Sequence, residues 1–428
     1  MGARQPLPPE RTPPPMTSMT TTSAAKIEVR PINPEELEEF GFVTHTTLAT
    51  HGNGGFNDPM KDLRPEWTLC VFEDGALVTT FAAWPFSMRW NGERIHVAGV
   101  TSVGTLPHKR RRGHLTRAMT TAFGNYRDAQ QPIAILHASQ AAIYQRYGYA
   151  IIAPVQDYRV DPREINFLGA PQPRGTVRLT DASELDVLKS LYRAYADPRT
   201  GLLHRGDALW EGGVLDAHDK QAGPVYVAIY EEDGEPQGYA LYLTRPGDGT
   251  GVADRNHVVT LRELHALTPS AYVALWQHVA AHDLADTLIR KSAPIDDPLF
   301  HMLLEPRRLH ATVHDNILLR IVDVAPALST RPYAESGSVT FELIDDRCEW
   351  NRGAWTLDAD GQRGELTRST AAPHFTLDAR ALSALASGAR SATDLYRQGG
   401  LDTSQPESLR TWDRLFHTAY QPHCPDLF

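Results

Sequence analysis

One segment of the sequence combines the residue types and the spacing that bind phosphate groups. It extends from Val103 to Leu115 and has the letters VGTLPHKRRRGHL. The pattern predicts a β-strand that ends near Pro107 and a helix that begins directly after the following turn. Three arginines and a glycine occupy this turn: Arg110, Arg111, Arg112 and Gly113. A helix N-terminus attracts anions, arginine adds charge-assisted hydrogen bonds, and glycine lets a ligand approach the backbone. The expected ligand is a pyrophosphate.

Other interpretations of this basic turn fit the residues less well. A run of arginines is often a solvated surface or a nucleic-acid patch. The strand, turn and helix around it favour phosphate binding instead, and the interleaved aromatic residues of a nucleic-acid surface are missing. A dinucleotide-binding fold is disfavoured because the segment has no G-x-G-x-x-G and its flanking strands have the pattern of antiparallel strands.

The turn resembles the acetyl-CoA signature of the GNAT acetyltransferases, Arg/Gln-x-x-Gly-x-Gly/Ala. Residues 110–115 match this signature except at Leu115, and the leucine is similar to the Eis (enhanced intracellular survival) branch, V-x-V-x-P-x-x-R-R-R-G-x-L. His114 is bulkier and more polar than the apolar residue usual at its position. The resemblance implies that acetyl-CoA is the cosubstrate, that no metal is used, and that the strand before the turn pairs with the pantetheine arm. The predicted cofactor-binding residues are Val103, Gly104, Thr105, Arg110, Arg111, Arg112, Gly113, His114, Leu115, Thr116, Ser139 and Gln140.

A second stretch, residues 136–149, has the letters LHASQAAIYQRYGY. It resembles the Eis pattern of a strand, a small residue and Tyr-x-Arg-Phe-Gly-Tyr. The resemblance implies that Tyr144 protonates the departing CoA thiolate, a sensible task for a nearby phenol. The alternative, which we favour less for Tyr144, is an aromatic residue that only packs on a short helix; this is our interpretation of Tyr147 and Tyr149.

The last residue, Phe428, is the second predicted catalytic residue. In Eis proteins the carboxylate of a final phenylalanine enters the active site of the first domain as the general base, so the resemblance implies the same role here. An α-carboxyl group has an ordinary pKa of about 3.3–3.7 and is a weak base for an ammonium substrate. The role therefore needs a raised pKa, a relaying water or a purely electrostatic effect. Without the resemblance, a chain terminus is expected to fray.

The element pattern divides the chain into a leader and three units. Residues 1–25 are rich in Pro and Thr without an apolar h-region, which predicts a disordered leader rather than a signal peptide. Residues 26–161 predict a mixed α/β catalytic unit closed by the strand near residues 149–160. Residues 174–324 repeat its order of strands and helices without the arginine turn, as a degenerate copy or as an unrelated α/β domain. Residues 325–428 predict an α+β unit. The resemblance implies tandem GNAT folds, the second degenerate, followed by a sterol-carrier-protein-like domain whose C-terminus reaches the active site.

Composition narrows the class of partner. The chain has 42 Lys and Arg against 52 Asp and Glu, a net charge of −10, which disfavours nucleic acid or an anionic membrane and suits a cationic substrate. The three cysteines are scattered, as in proteins of a reducing cytoplasm. No apolar run approaches the roughly 18–20 residues of a membrane helix, so no membrane insertion is expected.

The resemblance implies an acetyl-CoA-dependent N-acetyltransferase that acts by direct transfer on aminoglycosides or similar polycationic amines. The resemblance further implies a role in antibiotic resistance, a cytoplasmic location and assembly into a homohexamer. One alternative is a protein-lysine or other small-amine acetyltransferase. Another is a lipid-binding protein with a relic GNAT domain, against which the intact arginine turn and Tyr144 argue.

Overall fold

The computed structural model describes residues 25–50, 63–216, 223–247 and 255–428. The predicted leader, apart from its last residue, lies outside the described residues. Within them, twelve strands form one sheet and five form a second. None of the helices in this described part of the chain has the length and apolar character needed to cross a membrane.

The first unit alternates strands and helices in the predicted order. Its elements are β1 (Ile27–Arg30), α1 (Leu37–Leu48), β2 (Cys70–Glu73), β3 (Ala76–Trp90), β4 (Glu93–Thr105), α2 (His114–Asp128), β5 (Ile133–His137), α3 (Ala141–Gln145) and β6 (Ala150–Val160). The turn between β2 and β3 is Asp74-Gly75, and both residues have positive φ, as tight hairpin turns require. Helix α2 buries one face, including Ala118, Ala122 and Tyr126, against the sheet.

The second unit repeats this order. Its elements are β7 (Thr176–Thr180), α4 (Leu185–Ala196), α5 (Asp207–Leu209), β8 (Tyr226–Glu232), β9 (Glu235–Pro246), β10 (His257–Ala266), α6 (Pro269–Ala280), β11 (Ala285–Pro294), α7 (Leu299–Met302) and β12 (Thr312–Ile321). The predicted hairpin at Asp233-Gly234 joins β8 to β9, again with positive φ at both residues.

The helices α2 and α6 occupy equivalent places in the two units but begin differently. Helix α6 is capped by its own chain, because the Thr268 hydroxyl accepts a hydrogen bond from the Ala271 N–H at 3.1 Å and Pro269 has no N–H to offer. Helix α2 begins at Gly113, which has no side chain with which to cap it. The N–H groups of α2 are therefore available to an anion, whereas those of α6 are partly satisfied within the chain.

The two units share one continuous sheet, because they exchange strands. The order is β1-β2-β3-β4-β5-β12-β6-β11-β10-β9-β8-β7. Strand β12 of the second unit lies between β5 and β6, with Leu318 opposite both Leu136 and Ile151, and β6 pairs with β11. Strand β6, the last strand of the first unit, therefore has both of its partners in the second unit. A buried apolar strand carries no local mark of which neighbour it pairs with.

The third unit packs a small sheet and short helices against the large sheet. Its elements are α8 (Val324–Thr330), β13 (Ser336–Ile344), β14 (Gly353–Asp360), β15 (Gly364–Arg368), β16 (Phe375–Asp378), α9 (Ala379–Ala386), α10 (Ala392–Arg397), β17 (Leu401–Asp402) and α11 (Leu409–Leu415). The sheet order is β15-β14-β13-β16-β17. One apolar cluster extends from Ile135 of the first unit to Trp412 of the third. A buried ion pair joins the second unit to the third, since Arg320 of β12 donates to both carboxylate oxygens of Asp345 at 2.7 and 2.6 Å.

Candidate active site

A groove opens where two parallel strands diverge. Strands β4 and β5 pair from Val97 and Ile133 to Val100 and Leu136. Beyond that point β4 continues to Thr105 without pairing with β5. The groove has a volume of about 650 Å³. The predicted site residues that line it are Val103, Gly104, Thr105, Arg110, Arg111, Gly113, His114, Leu115, Thr116, Ser139, Gln140 and Tyr144.

A β-bulge in β4 accompanies the divergence. Thr80 of β3 lies opposite Gly104 and Ala82 lies opposite Thr101, so two β4 residues face one residue of β3. Ser102, within the bulge, has a φ of 53°, an unfavourable backbone angle for a residue that has a Cβ atom. Because a bulge bends its strand and increases the local twist, it helps to turn the end of β4 away from β5.

Gly104 is required where α1 crosses this end of β4. A Cβ atom at this position would lie 1.9 Å from the Thr47 hydroxyl oxygen. Only glycine therefore lets α1 pack so closely, and Thr47 and Leu48 of α1 join the groove wall as a result.

The arginine turn is held by contacts within the loop. Arg111 and Gly113 have φ values of 63° and 80°. The Arg110 Nε–H donates to the Thr105 carbonyl oxygen at 3.2 Å, and Arg117 donates to the Arg112 carbonyl oxygen at 2.9 Å. These contacts fix the loop while Arg110 and Arg111 face the groove.

Glu73, at the end of β2, holds the same loop from beneath. It accepts hydrogen bonds from Lys109 Nζ at 2.9 Å, Arg112 Nη1 at 3.0 Å and His114 Nε2 at 3.1 Å. The hydrogen bond from Lys109 and the surrounding positive charges hold the pKa of Glu73 below its ordinary value. Burial lowers the pKa of His114, which favours the neutral ring as donor to Glu73. The sequence offered no clue to this role, because a glutamate before Asp-Gly is an ordinary hairpin residue.

Arg112 differs from the other predicted cofactor residues. It is absent from the groove lining, and its guanidinium contacts Glu73 and the His108 carbonyl oxygen instead. The side chain therefore braces the loop rather than facing the groove. Its neighbour His114 does line the groove although it is only 3% exposed.

Tyr144 lies on α3 at the opposite wall of the groove. It is 8% exposed, and burial raises the pKa of its phenol to about 12. Tyr149 packs at 6.0 Å from the Tyr144 ring and is fully buried. Tyr147 shares a hydrogen bond of 3.0 Å with Thr116 Oγ1, which ties the turn after α3 to α2.

The C-terminal residue lies over the paired part of the same two strands. The Phe428 ring is 5.2 Å from Phe86 and 5.0 Å from His137. Gly99 makes this approach possible, since a Cβ atom there would lie 2.5 Å from the Phe86 ring and 3.3 Å from Phe428. His137 ends β5, just past the last residue that pairs with β4. Phe428 therefore lies at the paired part of β4 and β5, and the groove lies at the adjoining part where the two strands diverge.

The two predicted catalytic residues pack on opposite faces of the sheet. Tyr144 belongs to the apolar cluster that contains Val100 and Leu136, whereas Phe428 packs against the cluster that contains Val97 and Ile135. Side chains alternate between faces along a strand, so these clusters lie on either side of the sheet. The paired part of β4 and β5 therefore lies between the two side chains, and this pairing ends at Val100 and Leu136.

A row of half-buried aromatic rings extends from Phe428 along β3. Phe86 stacks on Trp84 at 6.4 Å, and Trp84 lies 5.1 Å from Trp67. Sequence reasoning did not identify this row. The available clue was the alternation of Trp84 and Phe86, which places two large rings on one face of a strand.

The cysteines offer no nucleophile for a covalent intermediate. All three are buried free thiols, and none lines the groove as described. Burial raises the pKa of Cys70 to about 12 and that of Cys348 to about 11. Among the described residues, no group of three or more His, Cys, Asp or Glu side chains is arranged to hold a metal ion.

Comparisons with known proteins agree with this geometry. Residues 28–152 and 201–321 each match a family described as an acetyltransferase (GNAT) domain, and residues 324–425 match a sterol carrier protein domain. An uncharacterized N-acetyltransferase of Streptomyces avermitilis is 32% identical over 367 residues, covering 84% of this chain and 89% of that protein. The N-acetyltransferase Eis of Mycobacterium tuberculosis is 29% identical over 377 residues, covering 82% and 88%. The crystal structure of Eis1 from Mycobacterium abscessus has a TM-score of 0.79 at 27% identity, covering 94% of this chain and all of that one.

Fold and similarity together define an N-acetyltransferase of the GNAT class. Within that class, the chain belongs to the Eis family. The predicted tandem GNAT folds followed by a sterol-carrier-like domain are confirmed, and the alternative of an unrelated second domain is excluded. The protein is an enzyme that transfers an acetyl group to an amine, and GNAT domains use acetyl-CoA as the donor.

Proposed function

We propose that the protein acetylates primary amines of aminoglycosides or similar polycationic amines by direct transfer from acetyl-CoA, in the groove between β4 and β5. The observation that carries this proposal is the groove itself. It brings the arginine turn, the N-terminus of α2 and Tyr144 to one cavity at the point where the strands diverge.

In this proposal, different walls of the groove bind different parts of acetyl-CoA. The N–H groups from Gly113 to Thr116, with the Arg110 and Arg111 side chains, bind the pyrophosphate. The backbone of residues 103–105 pairs with the pantetheine arm, while Ser139 and Gln140 flank it from the other wall. The lack of a side-chain cap at Gly113 and the close packing at Gly104 both suit a ligand that approaches the backbone.

The reaction forms one C–N bond and breaks one C–S bond. The neutral amine attacks the thioester carbonyl carbon, and CoA leaves as a thiolate. Tyr144, whose raised pKa keeps its phenol protonated, donates a hydrogen bond and then a proton to the thiolate sulfur. The amine loses its proton to the Phe428 carboxylate, directly or through a water.

The acceptor amine is proposed to bind on the face that carries Phe428. A terminal carboxylate attracts an ammonium group, and the rings of Phe86 and Trp84 offer cation–π surfaces beside it. The net charge of −10 favours encounter with polycations. By family likeness we also propose a cytoplasmic homohexamer that contributes to antibiotic resistance and needs no nucleic acid, membrane insertion or metal.

A substrate panel tests this function. Purified protein and acetyl-CoA are incubated with aminoglycosides, simple polyamines and lysine peptides, with free thiol as the first readout and mass spectrometry as the second. We expect thiol release with aminoglycosides and more than one added acetyl group on some of them. Transfer to lysine peptides alone would instead support the protein-lysine alternative. No mass gain on any aminoglycoside would remove the substrate assignment.

A further inference from the structure

The last nine residues, 420–428, form a C-terminal tail that is bound at a buried ionic cluster. Arg205, in the loop after α4, has a fully buried side chain. Its Nε–H donates to Asp426 Oδ1 at 2.8 Å, and its two terminal nitrogens donate to Glu263 of β10. Tyr239 also donates to Glu263, at 2.9 Å. Asp426 stands two residues before the terminus, so the second GNAT domain holds the end of the chain that lies over the first.

Backbone contacts hold the tail on both sides of this ion pair. The His137 Nε2–H donates to the Asp426 carbonyl oxygen at 2.9 Å. Asn316 of β12 donates to the Cys424 carbonyl oxygen at 2.7 Å. Earlier in the tail, the His423 N–H donates to the Thr200 carbonyl oxygen at 2.9 Å. The tail is thus attached to strands of both GNAT domains within a few residues of its end.

Near its end, the tail buries a charged residue and exposes the apolar residue that follows. Asp426 is 5% exposed, whereas the next residue, Leu427, is 57% exposed. Burying a carboxylate costs free energy that only a well-placed partner offsets, while burying a leucine is favourable. A tail that needed only to pack would bury Leu427. The ion pair therefore helps to set the register of the terminus, beside the apolar packing of Cys424 and Phe428.

We infer that Asp426 is a positioning residue, whose ion pair with Arg205 fixes where the Phe428 carboxylate lies over β4 and β5. The inference rests on the proposed role of that carboxylate in the reaction. Two residues of extended chain span roughly 6.6–7.2 Å, so an anchor at Asp426 leaves the carboxylate little freedom. Without it, the terminus samples positions that a reacting amine cannot use.

Asparagine at this position provides a matched variant. Arg205 faces two carboxylates, and Glu263 takes both terminal nitrogens of the guanidinium. Burial raises the pKa of Asp426 to about 6. The Asp426 Oδ2 atom has no hydrogen-bond partner among the described residues. Asp426→Asn keeps an oxygen to accept from Arg205 Nε, whereas Asp426→Ala removes it. Asp346→Ala is the charge control, because that side chain is 85% exposed.

The experiment measures catalysis and tail docking on the same full-length proteins. Steady-state kinetics supply kcat and the KM for acetyl-CoA, and a carboxypeptidase time course followed by intact mass reports release of Phe428. For Asp426→Ala we expect kcat to fall roughly 10–100-fold with the acetyl-CoA KM unchanged, and Phe428 to be released faster. Asp426→Asn should recover most of both properties, and Asp346→Ala should behave as wild type. Should the alanine protein fail to fold, Asn316→Ala loosens the tail outside the ionic cluster and should shift both readouts in parallel.

The outcomes separate this inference from the proposed function. A chain extended beyond Phe428 keeps the anchor but removes the carboxylate from that point. If the extended chain turns over at the wild-type rate, the base role of Phe428 fails. If the extended chain is inactive while Asp426→Ala keeps its kcat or its resistance to carboxypeptidase, the anchor inference alone is overturned. A fall in kcat without faster release overturns it as well.

Discussion

Burial keeps the Tyr144 phenol in the protonated form that its proposed role requires. A phenol in water has a pKa near 10, and at 8% exposure the charged form is disfavoured, so the pKa rises to about 12. The direction matters, because a raised pKa keeps the neutral, proton-bearing form across the range in which amine substrates lose their own protons. The surrounding fold thus keeps Tyr144 protonated by burial alone.

We expect Tyr144→Phe to lower kcat about 10²–10⁴-fold and to leave acetyl-CoA affinity unchanged, because only a hydroxyl is lost. The loss should be similar from about pH 6 to 10, since Tyr144 does not titrate there. Rate profiles against pH and calorimetry would check both points. Tyr126→Phe is the matched control, because the Tyr126 hydroxyl is buried and has no hydrogen-bond partner in the described structure. A Tyr144→Phe enzyme with wild-type kcat would show that the phenol only packs.

The arginines of the turn are predicted to differ in their contributions. Arg111→Ala should weaken acetyl-CoA binding by about 1.5–3 kcal/mol, or roughly 10–150-fold, through loss of a charge-assisted hydrogen bond. Arg112→Ala should cost less, because its guanidinium contacts Glu73. Calorimetry measures both, with the exposed Arg307→Ala as the control for net charge. Equal losses for the two variants would mean that Arg112 contacts the cofactor after all.

Helices α2 and α6 show that the same supersecondary unit begins its helix differently in the two copies. Both helices follow a long strand that pairs with a parallel neighbour. In the first copy a turn of several residues leads into a helix that starts at glycine. In the second, the short turn supplies Thr268 as a cap and Pro269 in the first helical position. In the proposed function, this difference leaves the second copy without an anion site, while the order of strands and helices is unchanged.

Thr268→Ala should therefore destabilise α6 by about 1 kcal/mol and leave acetyl-CoA affinity unchanged. Hydrogen exchange of the α6 amides would report the loss as weaker protection, and calorimetry would report the affinity. If affinity changed by tenfold or more, the second copy would have to take part in cofactor binding.

The whole molecule is held together by strand exchange. Strand β12 supplies Ile317, Leu318 and Leu319, each at most 1% exposed, to the gap between β5 and β6. Removing β12 would expose two apolar strand edges in the centre of the sheet. The third unit also shares an apolar cluster with the first, although smaller clusters lie wholly within the first and second units.

We accordingly expect residues 26–161, produced alone, to aggregate or remain unfolded, with the full chain as the control. Circular dichroism and size-exclusion chromatography would check this outcome. A soluble monomer that unfolds cooperatively would show that the first unit can close its sheet without β12.

The site was predictable from sequence where the determinants are close along the chain. The arginine turn, the start of α2, the tyrosine on α3 and the Asp-Gly hairpins all depend on residues within a few positions of one another. Resemblance to the Eis family also predicted the domain organisation, namely tandem GNAT folds and a sterol-carrier-like domain. The comparisons confirm this organisation. The roles of Tyr144 and Phe428 remain predictions.

Contacts between distant residues were decided only by the tertiary structure. Sequence patterns did not reveal that β12 would enter the first sheet, that Glu73 would brace the loop near residue 110, or that Arg205 would meet Asp426 across 221 positions. The physical reason is that local propensity depends on near neighbours, which the sequence displays directly. Pairing of buried strands and burial of charged groups depend instead on complementary surfaces that exist only once the chain has folded.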